Sequence, residues 1–316
     1  MATIQQIIAS NGRLCESHKS TTAVFTGVTH GIGLETLKAL LRYIPKPKAI
    51  LIGRSRAKFA SELDALHQLN PDADISFIET ELSLISEVDR TCEVIKQQAP
   101  QHSIDLLCMS QGYAPLGPRL FNKEGIDESM TLGVYGRVRL AEKLINQAML
   151  STNARVVSIL GGGKEDKLFL EDMELKENWS VMKLRGHFTS MMTLAFDHLA
   201  SRNPNLGFVH YFPGTVSTGM RNRIPNISLL TSVSMFIISA LFSFKAITPK
   251  ESGERTLGTP CFGQDFERGS FSIDLDGTLG ASEHLKEYRK DDQVSKKVWE
   301  HLEELWERAG VPVAKA

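Results

Sequence analysis

The stretch Thr26-Gly27-Val28-Thr29-His30-Gly31-Ile32-Gly33 has the residue types a phosphate group needs. It follows the apolar run Ala23-Val24-Phe25 and precedes a helical pattern from Leu34 to Tyr43. A strand, a glycine-rich turn and a helix in that order gather backbone N–H groups and the positive end of a helix dipole at one point. The glycines let the chain bend and approach a pyrophosphate closely. Lys183 and His187 are a second candidate for chemistry, since residues four apart share a helix face and an imidazole moves a proton near neutral pH. The four cysteines, Cys15, Cys92, Cys108 and Cys261, form no C-x-x-C pair, and no His cluster has ligand spacing. Neither a metal site nor a disulfide framework is expected.

The elements that must position these residues alternate as strand and helix, which predicts an α/β fold with a doubly wound parallel sheet. Strands are expected at Lys48–Arg54, Asp74–Thr80, Ile104–Met109, Arg155–Leu160, Gly207–Phe212 and Ser270–Asp276. Helical patterns cover Arg56–Leu69, Ile85–Gln98, Gly125–Met149 and Asn178–Ala200, and a charged amphipathic helix spans Asp291–Ala309. Residues 1–20 form an N-terminal helical extension, 21–316 a single domain, 224–250 a lid or substrate segment and 262–316 a C-terminal extension.

Composition narrows the partners. Among 316 residues, 36 Lys and Arg against 37 Asp and Glu leave a net charge of -1, with no basic run, so nucleic acid is not an expected partner. Met1 to Ser20 lacks the pattern of a secretion signal, and a cytoplasmic location follows as the default. The apolar run Ile227–Phe244 is interrupted by Ser and Thr, which argues against a membrane contact. A homo-oligomer is compatible with the amphipathic tail around Trp299 and Trp306, which could pack on another subunit.

From Thr21 to Gly219 the chain resembles the short-chain dehydrogenase/reductase family, whose Rossmann-like fold binds a nicotinamide dinucleotide. The resemblance implies that Gly27, Thr29, His30, Gly31, Ile32 and Gly33 hold the pyrophosphate. Arg54 stands where NAD-preferring members place an acid, and a guanidinium there suits a 2′-phosphate, which implies NADP. Glu81 and Leu82 fall beside the adenine. Pro213, Gly214, Val216 and Thr218 match the segment that lies against the nicotinamide, and Lys183 matches the lysine that bonds its ribose. The resemblance also implies a lid over a small-molecule substrate at Ile227–Phe244.

The family's catalytic pattern is broken. Trp179 occupies the place of the proton-donating tyrosine, Gly133 that of the asparagine, and Gly161 (or Leu160) that of the serine. An indole N–H donates a hydrogen bond but releases no proton at a useful pH. The resemblance therefore implies an atypical NADP-dependent oxidoreductase with a non-standard proton donor, His187 being one candidate, or with a substrate that needs none. A redox-silent isomerase or cyclase and a non-catalytic NADP-binding protein are the alternatives. The segments Asn178-Trp179-Ser180 and Phe208–Gly214 are similar to divergent members from fungal specialised metabolism, which implies a bulky apolar substrate.

Overall fold

The structure is a computed structural model that describes residues 2–113, 118–217, 246–311 and 313. Seven strands form one parallel sheet in the order β3-β2-β1-β4-β5-β6-β7, comprising β1 Ser20–Thr26, β2 Lys46–Gly53, β3 Asp74–Glu79, β4 Ile104–Met109, β5 Leu150–Ile159, β6 Gly207–Tyr211 and β7 Gly269–Ile273. The principal helices are α1 Ile4–Gly12, α2 Gly31–Tyr43, α3 Arg56–Leu69, α4 Ile85–Gln98, α5 Gly136–Asn146, α6 Val181–Arg202, α7 Pro249–Thr256, α8 Glu283–Tyr288 and α9 Asp292–Arg308. A short turn, Glu128–Met130, and a π-helical turn, Thr131–Tyr135, lead into α5.

The central strands alternate their side chains between two cores, as the pleat requires. Val24 of β1 joins the core under α4, α5, α6 and α9, while Ala23 and Phe25 join the core under α2, α3 and α7. The chain changes direction across the sheet between β1 and β4, and an open parallel sheet binds its ligands in the crevice beyond the carboxyl ends of such strands.

Several boundaries differ from the sequence expectation. The expected helix Gly125–Met149 starts later, because Gly125 takes φ +74 in a turn closed by the Asn122 side chain. β5 begins at Leu150, with Ser151, Thr152 and Asn153 less buried than the apolar half that follows. α6 starts at Val181, where the Ser180 hydroxyl caps the Lys183 N–H at 3.2 Å.

The two extensions pack on the same chain. α1 is pinned through Asn11, whose side-chain amide donates to Glu254 O at 3.0 Å and Glu254 Oε2 at 2.9 Å. α9 buries Val298, Trp299, Leu302, Leu305 and Trp306 against α5 and α6, so the amphipathic tail is covered by its own chain. Trp306 Nε1 donates to Tyr135 O at 3.2 Å, and the Arg139 guanidinium lies 5.2 Å from the Trp306 ring. No helix among the described residues is long and apolar enough to cross a membrane. Ile227–Phe244, read as a lid or membrane contact, lies outside the described residues.

Candidate active site

The glycine loop is built so that nothing larger fits. Gly27 has φ +72, and a Cβ there would lie 2.4 Å from Gln111 N and 2.5 Å from Ser110 C, both main-chain atoms. A Cβ on Gly33 would lie 2.6 Å from Gly27 O. Loop, helix and the end of β4 are thus in direct main-chain contact, and the Thr26 hydroxyl donates to Gln111 Oε1 across the β1/β4 gap. The first N–H groups of α2, from Gly31 to Gly33, have no partner within the helix by its geometry and point out of this cradle. His30 occupies the N-cap position, with Nδ1 2.9 Å from Thr29 Oγ1.

Gly53, at the end of β2, lies against Thr29: a Cβ there would be 3.2 Å from Thr29 Cγ2. That contact places Arg54, exposed and without an ion pair among the described residues, beside the loop. Glu128 sits in the same neighbourhood, where burial, then Glu81 and Asp127, raise its carboxyl above the ordinary value while Arg54 opposes them. Glu81 is half-buried and accepts from Ser83 N at 3.2 Å, and Leu82 is buried.

On the far side of the sheet, Pro213 is buried, and Gly214 takes φ +73 where a Cβ would meet Leu275 Cδ2 at 2.8 Å. Val216 forms a parallel bridge with Ile247, closed by Ile247 N to Thr215 O at 3.0 Å and Ser217 N to Ile247 O at 3.1 Å. Thr218 lies outside the described residues.

The centre where catalysis is expected holds no serine. A Cβ on Gly161 would lie 2.6 Å from Thr189 Oγ1, and one on Gly162 only 1.9 Å from His210 O. Phe188 approaches the space beside Gly133, with ring atoms 3.7 Å from a Cβ there. Trp179 is half-buried, and its indole N–H is buried with no hydrogen-bond partner among the described residues. Lys183 is exposed, its Nζ 3.3 Å from Asn178 Oδ1 and 5.4 Å from the Phe169 ring centroid.

His187 does not present an acid to the cleft. It is buried, its Nδ1 accepts from Phe169 N at 3.1 Å, and its Nε2 lies 2.9 Å from Met173 O, where it donates. Both nitrogens are used by main chain, and burial pushes its pKa below the ordinary value, outweighing the Met173 carbonyl. The histidine pins the 169–173 segment onto α6.

Two buried polar arrangements lie beneath this centre, and sequence spacing signals neither. Arg137, at the start of α5, is 1% exposed. Its Nε donates to Leu132 O at 2.9 Å; Nη1 donates to Met109 O, Ser158 Oγ and Ile159 O at 3.1, 2.8 and 3.0 Å; Nη2 donates to Gln111 O. The second is a chain from Glu165 to Gly161. Gly161 N donates to His210 Nε2 at 3.0 Å, so Nδ1 carries the proton and donates to Thr193 Oγ1 at 2.7 Å, whose hydroxyl donates to Glu165 Oε1 at 2.8 Å.

Burial, and after it the Arg137 charge, push His210 down to about 3. The imidazole is neutral when folded and titrates at its ordinary value when unfolded. Its stabilisation is therefore present above pH 6.5 and is lost as the pH falls from there towards 3. Thermal melts between pH 7 and 4 are expected to lose about 1.4 kcal/mol per pH unit from this residue below its unfolded value. His210→Gln is expected to reduce that slope, to which His187, His198 and His301, also pushed down by burial, contribute as well; an unchanged slope would remove His210 as a source.

Comparison with known proteins agrees with this geometry. A family model for short chain dehydrogenases matches residues 21–165. The chain is similar to the oxidoreductase AN1596 of Emericella nidulans, with 33% identity over 98% of this chain and 99% of that protein. It is also similar to the oxidoreductase lepF of Aspergillus flavus, with 31% identity over 95% of this chain and 96% of that protein. Among solved structures, a 3-oxoacyl (acyl-carrier-protein) reductase from Agrobacterium tumefaciens with NADP bound superposes with a TM-score of 0.59 at 16% identity, covering 81% of this chain and 92% of its own.

Proposed function

The chain belongs to the short-chain dehydrogenase/reductase family and is an oxidoreductase; on that premise we propose that it uses NADP(H) and acts on a bulky apolar small molecule of fungal specialised metabolism through an atypical active site. The observation that carries this reading is the cradle of Gly27 and Gly33, closed to any Cβ, with exposed Arg54 held beside it through Gly53 and Thr29. When bound, NADPH would supply a hydride to an electrophilic carbon.

The residues present fit that cofactor. The α2 N-terminus and Gly31 to Gly33 would meet the pyrophosphate, and Arg54 would fork onto the 2′-phosphate. Glu81 and Leu82 would border the adenine, Lys183 the ribose, and Pro213 to Val216 the nicotinamide. The Trp179 indole that stands in place of the tyrosine gives a substrate oxygen no proton. A substrate whose reduction needs no protein acid, such as an iminium ion or a carbonyl protonated from water, fits such a centre.

NADPH oxidation on a panel of carbonyl and iminium compounds tests the reading, and no turnover across the panel would count against it. Arg54→Ala is expected to weaken NADPH binding about tenfold or more while leaving NADH binding nearly unchanged, the effect of removing one charge-assisted pair. Equal weakening of both would exclude the 2′-phosphate role.

A further inference from the structure

Arg137 is a buried cation with no acid beside it. Its donors meet four main-chain carbonyls and one hydroxyl, and no carboxylate pairs with it among the described residues. Carbonyl dipoles solvate a guanidinium without cancelling its unit charge. Burial lowers its pKa only to about 9, so it stays protonated at neutral pH. Its position is specific: it joins the last residue of β4, Met109, and the last of β5, Ile159, at the edge where the crevice opens, and a Cβ on exposed Gly112 would lie 3.9 Å from Nη2. The charge is felt beyond β5, since it adds to the burial that keeps His210 neutral.

We propose that Arg137 makes the site selective for reduced over oxidised nicotinamide, so that the protein rests loaded with reductant and discharges the oxidised cofactor. The inference rests on the oxidoreductase reading above. A reduced nicotinamide ring is neutral and an oxidised one carries a positive charge, so a buried cation held at the carboxyl ends of β4 and β5, beneath the crevice that would take the ring, would repel only the oxidised form. Exposed Lys183 adds little to this discrimination, because solvent screens its charge. Arg137 is buried among protein dipoles, where a unit charge acts through a much lower effective dielectric than water.

The test is the ratio of dissociation constants for the oxidised and reduced forms, measured by fluorescence titration for both NADP(H) and NAD(H). Wild type is expected to favour the reduced form about tenfold. Arg137→Lys is expected to keep most of that ratio. Arg137→Met removes the charge but also the clamp, so Ser158→Asp is the companion variant: it sets a carboxylate against Nη1, 2.8 Å from the present hydroxyl, and cancels the charge in place. Both neutralising variants are expected to bring the ratio close to one, with folding checked by circular dichroism. A general structural role would weaken both forms alike. A ratio near one in wild type, or one unchanged in a folded Ser158→Asp protein, overturns the proposal. Failure of the NADP assignment is read separately, as a loss of the phosphate preference with the redox ratio intact. Binding of none of the four forms overturns both.

Discussion

Gly27→Ala is expected to reduce NADPH affinity at least a hundredfold and to cost about 2–4 kcal/mol of stability, from backbone strain together with overpacking. Two causes act together. The residue sits at φ +72, which an L side chain adopts only with strain, and its Cβ would be 2.4 Å from the main-chain nitrogen of Gln111. A flexible side chain could move aside, but here the obstacle is the backbone leaving β4. Relief requires the ends of β1 and β4 to part, which tilts the loop away from the α2 N-terminus and breaks the Thr26–Gln111 bond. Calorimetric titration with NADPH and a thermal melt read the two effects. Gly12→Ala, where nothing lies within 4 Å of the new carbon, is the control. Wild-type affinity in the Gly27 variant would mean that the loop is not the cofactor cradle.

Trp306→Ala is expected to destabilise the protein by about 3–5 kcal/mol, the usual cost of removing a large buried aromatic, and to lower the melting temperature by about 5–8 °C. The indole is fully buried, donates to Tyr135 O, stands edge-on to Trp299 at 5.8 Å and lies under the Arg139 guanidinium. Tyr135 ends the π-helical turn that leads directly to Arg137, so the loss is expected to reach the floor of the site as well as the surface. Trp306→Phe, which keeps most of the packing but loses the N–H bond, is expected to cost about 1–2 kcal/mol. A melt within 2 °C of wild type for the alanine variant would show that α9 contributes little to the fold.

The sheet was legible because buried parallel strands read as continuous apolar runs: Ala49–Ile52 and Leu106–Met109 are buried in the structure as their composition implies. The glycine-rich turn between β1 and α2 was legible because its glycines are required by local backbone geometry, which leaves a mark at fixed spacing. The centre of the site was not, and the reason is sequence separation. Arg137 gathers oxygens from Met109, Gln111, Leu132, Ser158 and Ile159, while the Glu165 chain runs through Thr193 and His210. Polar side chains that are satisfied only after folding leave no local pattern, and Arg137 reads in isolation as an ordinary helix-surface cation. His187 shows the converse. Spacing set it on the face it shares with Lys183, but only the fold reveals that main chain occupies both its nitrogens.

The bridge between Val216 and Ile247 has a consequence for how substrate choice can change. It ties the stretch that leaves the sheet after Pro213-Gly214 to the stretch that leads into α7, so residues 216 and 247 are fixed as neighbours. The length of chain between these two anchors can change without moving either of them, and one set of strands can serve many substrates.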